Sequence, residues 1–101
     1  MAYGYIIVDM NISDLEGYKA YMAAAPAAVK AHGGEYLVRG GQNTVLEGAW
    51  QPARMAMLRF PSFEKAKQFY DSESYRSVRT KRAGTTSFFN MVLVEGVDAP
   101  V

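Results

Sequence analysis

His32 is the only histidine in this chain of 101 residues. It is therefore the one side chain whose ordinary pKa lies near neutrality, and the candidate catalytic acid or base. It sits just ahead of Gly33-Gly34, in what reads as the last turn of a helix. An imidazolium there also suits the negative end of the helix dipole, so a structural role competes with a chemical one. Arg39 alternates with Leu37 on a short strand and is expected to be partly buried at a sheet edge. A guanidinium so placed needs a carboxylate or a ligand anion, and Glu47 is the candidate carboxylate. Between positions 65 and 82 lie six of the 11 basic residues, by default a solvated helical face. Arg79 and Arg82 are three apart on that helix and Tyr75 stands one turn earlier. With Tyr70 they form a set suited to lining a pocket mouth and holding a carboxylate or enolate.

Other chemistries find no residues. The chain has no cysteine, which removes disulfides, thiolate metal sites and cysteine nucleophiles, and one histidine makes no histidine-based metal site. No metal or cofactor is expected. The glycine pairs at 33–34 and 40–41 do not open a helix after a strand, as a phosphate cradle requires, and read as a helix cap and a turn. No nucleophile elbow, Ser-His-Asp spacing or close carboxylate pair suggests hydrolysis. A formal net charge of +1 gives no global field toward nucleic acid or anionic membrane. The apolar run Tyr5 to Val8 is too short to span a bilayer and no secretory signal is apparent, so a cytoplasmic location is expected.

The elements that must position these residues follow from periodicity. Ile6, Val8, Met10 and Ile12 form one apolar face of a first strand, with Tyr5, Ile7, Asp9 and Asn11 on the other. Ser13 and Glu16 fit a capping box, and Leu15, Tyr18, Met22, Ala25 and Val29 mark the face of a helix ending at Gly33-Gly34. Pro26 predicts a kink or broken turn near Met22 to Ala25. Glu35 to Arg39 reads as a second strand, Thr44 to Glu47 as a short third piece and Arg54 to Phe60 as a longer one. A helix opens at Pro61-Ser62 with Phe63, Ala66, Phe69 and Tyr70 on one face, and a shorter one capped by Ser72 or Ser74 runs to Gly84. Ser87 to Val94 is the last strand. This is an α+β order giving a four-stranded antiparallel sheet with helices on one face. Tyr5, Ile7, Met55, Met57, Phe89, Met91 and Leu93 are assigned to the other face, which a second copy would cover. Asp9 on that face must find Arg59 or another partner.

The segments Asp14-Leu15-Glu16-Gly17-Tyr18-Lys19-Ala20-Tyr21, Gly33 to Gly41, Leu46-Glu47-Gly48, Phe60-Pro61-Ser62 and Tyr70-Asp71-Ser72-Glu73-Ser74-Tyr75, in this order, resemble domain of unknown function 1330. That family lies in the dimeric alpha-beta barrel superfamily, whose members include cofactor-independent monooxygenases, small isomerases and heme-degrading enzymes. The resemblance implies a ferredoxin-like βαββαβ protomer and a homodimer, and places Arg39 and Glu47 at characteristic positions. The chain departs from the family at Phe69, where tryptophan is common, and at Leu15, where proline often follows the aspartate.

The resulting expectation is one domain over residues 1–97 with a loose tail at 98–101. It pairs with itself through the open sheet face and holds a small aromatic or carboxylate-bearing metabolite between sheet and helices. A cofactor-independent enzyme of monooxygenase or isomerase type is the catalytic form of this reading. The alternatives are a single-stranded RNA-binding module, which would need aromatic rings on the central strands, or a structural dimer without ligand.

Overall fold

Alternation decides the first strand in the computed structural model, which describes residues 2–99. β1 (Gly4–Ile12) buries Ile6, Val8 and Met10 beneath the helices. β2 (Glu35–Arg39), β3 (Arg54–Phe60) and β4 (Thr86–Glu95) complete an antiparallel sheet of order β2-β3-β1-β4. The connections are α1 (Leu15–Ala31), α2 (Phe63–Asp71) and α3 (Glu73–Arg79), the last running into a 3₁₀ turn at Thr80–Arg82. The tail expected at 98–101 lies partly outside the described residues.

α1 starts one residue later than the capping box implies. Asp14, not Ser13, is the N-cap, and its carboxylate accepts from the Gly17 N–H. The Ser13 and Asp14 N–H groups instead both donate to the Thr85 carbonyl. The buried stripe is Tyr18, Tyr21, Ala25, Ala28 and Val29, whereas Leu15, expected in it, is 55% exposed. Pro26 does not break the helix, which runs through it to Ala31. Gly33, at φ +76°, then turns the chain out of α1. Ser72 ends α2 and begins α3, donating its hydroxyl to the Phe69 carbonyl and accepting from the Tyr75 N–H.

Three further expectations are corrected. Thr44–Glu47 forms no strand: β2 and β3 close their ladder at Arg39↔Ala56 and the Gly40 N–H to Met55 carbonyl bond, leaving the following segment as an exposed loop. A bulge between Tyr36 and Val38 makes Leu37 the extra residue, so Arg39 shares the face of Tyr36 rather than that of Leu37, and it is exposed. On β4, Phe89, Met91 and Leu93 pair with Met10, Val8 and Ile6 and so face the helices. The open face carries Phe88, Asn90, Val92 and Val94 instead. β4 is apolar on both sides, so its own pattern did not fix the parity.

The core between sheet and helices centres on rings. Phe60, Phe69 and Tyr75 are almost fully buried, with Phe69 centred 4.9 Å from Phe60 and 4.4 Å from Tyr75. Truncating a buried ring of this kind to alanine costs about 3–5 kcal/mol. The open face keeps Tyr5, Ile7, Met55, Met57, Phe88, Val92 and Val94 on the side away from the helices, with Val92 59% exposed.

Candidate functional site: a tyrosine-lined cavity with two arginines at its mouth

Two cross-strand rows floor a cavity of about 40 Å³ under α1. One row is Arg39–Ala56–Val8–Met91 and the other Arg54–Met10–Phe89. Tyr18, Tyr21 and Met22 come from α1, Phe69 from α2 and Tyr75 from α3, with Tyr36 on the β2 side. The volume suits a fragment of a few non-hydrogen atoms, since one water needs about 10–15 Å³ by the same measure.

Arg39 and Arg54 stand at the β2–β3 end, and Arg39 is the exposed member of the lining. Arg39 donates to the Met22 carbonyl at 2.8 Å and stacks 4.7 Å from the Tyr36 ring centre. That carbonyl is the acceptor a residue-26 N–H would use in an α-helix, and Pro26 has none to give. The proline thus leaves an oxygen that holds the arginine in place. Arg54 packs against Gly40: a Cβ there would collide with the guanidinium, and the φ of +74° at Gly40 also favours glycine. Among the described residues neither arginine has a carboxylate partner.

The tyrosines supply neutral donors. The Tyr18 hydroxyl donates to Met10 Sδ at 3.0 Å, and the Tyr21 and Tyr75 hydroxyl oxygens are 2.7 Å apart. Burial pushes the Tyr18, Tyr21 and Tyr36 phenols above their ordinary value. Arg54 and then Arg82 pull back at Tyr18, and Arg39 pulls back at Tyr36. Tyr21 is raised most, with the neighbouring Tyr75 adding to burial. These hydroxyls therefore stay protonated and serve as donors rather than bases.

The other sequence-selected residues are distributed around this cavity. His32 caps α1, its Nδ1 lying 3.0 Å from the Ala28 carbonyl. A carbonyl only accepts, so that nitrogen carries the proton. The ring meets Phe69 edge-on at 5.8 Å and does not line the cavity. Glu47 lies in the 40–53 loop, in a groove with Trp50, Pro52 and Met55, apart from Arg39. Tyr75 is in the cavity wall, whereas Tyr70 lines a separate groove with Lys67, Met91 and Leu93. Arg79 stacks on Tyr70 at 4.3 Å and Arg82 on Phe89 at 3.7 Å, so both back the aromatic wall without lining the cavity. Arg79 Nη1 and Arg82 Nε are buried without a hydrogen-bond acceptor.

Asp9 on the open face does not meet Arg59. The register sets Asp9 opposite Met55 and Asn90 but Arg59 opposite Tyr5 and Glu35, four residues or about 13 Å along the sheet. Arg59 pairs with Glu35, while Asp9 accepts from Trp50 Nε1 at 3.0 Å.

Sequence reasoning missed Arg54, Tyr18, Tyr21 and Tyr36 as site residues. A signal for Arg54 was present, because it shares strand parity with Ala56, Leu58 and Phe60 and so had to face the helices. The tyrosines read as core, which they also are.

Fold and strand order make this a ferredoxin-like α+β protein with its helices on one face of the sheet. The chain belongs to the family described as Domain of unknown function (DUF1330), whose model matches residues 3–97. None of the curated proteins matches it. A protein of unknown function from Rhodopseudomonas palustris superposes with a TM-score of 0.76 at 13% identity, covering 97% of this chain and 85% of the other. A dimeric ferredoxin-like protein of unknown function from Jannaschia sp. CCS1 gives 0.65 at 13% identity over 92% and 96%. A candidate antibiotic biosynthesis monooxygenase from Caulobacter crescentus gives 0.60 at 12% identity over 96% and 91%. No helix among the described residues is long and apolar enough to cross a membrane, and no group of their His, Asp and Glu side chains could hold a metal ion.

Proposed function

We propose that this chain is a homodimeric small-molecule-binding protein of the cytoplasm whose cavity takes a small carboxylate-bearing metabolite. The observation that carries the reading is the pair Arg39 and Arg54, two guanidiniums at the mouth of one cavity with no carboxylate beside them among the described residues. Guanidinium forks match a carboxylate in charge and shape, and the tyrosine and methionine walls suit a short apolar body. A cofactor-independent enzyme of monooxygenase or isomerase type is the catalytic extension of this reading, and the Caulobacter crescentus protein of the same fold is described as a candidate antibiotic biosynthesis monooxygenase. The sequence-selected Arg79 and Arg82 enter as cations behind the aromatic wall, and His32 and Glu47 as residues outside the cavity.

The test compares butyrate with butyramide by amide-shift titration. Wild-type protein should bind the acid and not the amide, and R39M and R54M should each lose the difference while staying folded. Equal behaviour of acid and amide in wild type overturns the reading.

The homodimer is supported by the apolar open face and by the neighbour described as dimeric. Single-stranded RNA binding is less well served, because the central strands β1 and β3 present Tyr5 as their one ring on the open face among the described residues. Native mass spectrometry checks the assembly: a dimer is expected, and a monomer at micromolar concentration overturns it.

A further inference from the structure

The cavity has a second polar end, opposite the arginines. Tyr21 and Tyr75 are both buried, both line the cavity and share one hydrogen bond. Each hydroxyl carries one proton. One proton is used within the pair, and the other has no further partner among the described residues. Tyr18 is not equivalent, since its proton is committed to Met10 Sδ. The two floor rows set the distance between the ends. Arg39 and Arg54 enter from β2 and β3, while Tyr21 meets Phe89 of β4 edge-on at 6.2 Å. Strands lie about 4.8 Å apart, so two to three strand spacings separate the backbones, and the long arginine side chains reduce the gap to the length of a small molecule. Apart from Tyr18 and Tyr36, the rest of the lining is apolar, with Val8, Met10, Met22 and Met91 among it. Arg82 stacks on Phe89 and lies 5.4 Å from the Tyr21 ring centre, placing a positive charge near this end.

We infer that the Tyr21–Tyr75 hydroxyl pair is a recognition element for a ligand oxygen, so that the cavity selects small acids carrying a carbonyl or enol oxygen a few atoms from the carboxylate. A 4-oxo acid, with two methylene carbons between the carboxylate and the carbonyl carbon, is a small member of that class. The carboxylate lies between Arg39 and Arg54, and the oxygen accepts the uncommitted tyrosine proton in a low-dielectric setting where such a bond is strong. The inference rests on the anion reading above and adds the second contact to it.

The experiment compares 4-oxopentanoate with pentanoate, acids of equal chain length that differ in one carbonyl oxygen, on the wild-type protein and on Y21F, Y75F and the double variant, with amide spectra confirming the fold. Wild type should prefer the oxo acid by about tenfold, the upper range of one net hydrogen bond. The double variant should bind both acids equally. Equal affinities in wild type, or a preference that survives in the double variant, overturn the inference while leaving the anion reading in place. Binding of neither acid overturns both. Should the double variant not fold, loss of the preference in at least one single variant is the expected result, and retention in both overturns the inference.

Discussion

Arg39 donates to the Met22 carbonyl at 2.8 Å, and that carbonyl is the one Pro26 leaves without a helical donor. A residue normally read as a helix defect therefore fixes an arginine at the cavity mouth. Pro26→Ala restores the N–H, which then competes with the guanidinium. Removing a helix-interior proline is favourable by up to about 3 kcal/mol, less the unfolded-state entropy that proline restricts. The expected outcome is a gain of about 1–2 kcal/mol in chemical denaturation together with a several-fold weaker affinity for butyrate. Stabilisation with unchanged affinity would show that the Met22 contact does not hold Arg39 for binding.

The start of α1 separates two neighbouring candidates. Asp14→Ala removes the carboxylate that accepts from the Gly17 N–H and should cost about 1 kcal/mol. Ser13→Ala should change stability by less than about 0.5 kcal/mol, since Ser13 makes its bond to Thr85 through its backbone N–H. Thermal or urea unfolding of the two variants checks the order, and a larger loss for Ser13→Ala would restore the capping box.

Tyr18 and Tyr21 have phenol pKa values raised from 10.0, chiefly by burial. The sign follows from which state ionises first. Below pH 10 both states keep the proton and nothing is lost. As pH rises past 10 the unfolded chain ionises and the folded chain does not, so stability falls toward the folded pKa, by about 1.4 kcal/mol per pH unit for each such tyrosine. Absorbance at 295 nm should therefore show these tyrosinates appearing together with the loss of near-ultraviolet circular dichroism. Their smooth titration in a still folded protein would contradict the burial.

Trp50 is the single tryptophan, hydrogen-bonded to Asp9 on the open sheet face and 59% exposed. Covering of that face by a second copy removes water from the indole. Emission should shift to shorter wavelength as protein concentration rises through the dissociation constant, and Val92→Lys should move that transition to higher concentration. An emission maximum independent of concentration in a protein that sediments as a monomer would mean the face stays open.

By itself the sequence determined the order of the helices and the four strands, the β1 faces and the cap at Ser62, and narrowed the next cap to Ser72 or Ser74, because these depend on neighbours within one turn or on simple alternation. It also carried the site's chemical type, arginine and tyrosine with little else that titrates. Only the tertiary structure decided which arginines share the cavity. The bulge at Leu37 turned Arg39 to the helix side, and the antiparallel register set Arg54 in line with Met10 and Phe89. Glu47 was left on a loop that no local signal distinguishes from a strand. The parity of β4 and the meeting of Tyr21 with Tyr75, 54 positions apart, were likewise invisible, because an all-apolar strand has no preferred face and a contact between two helices is set by packing, not by spacing along the chain.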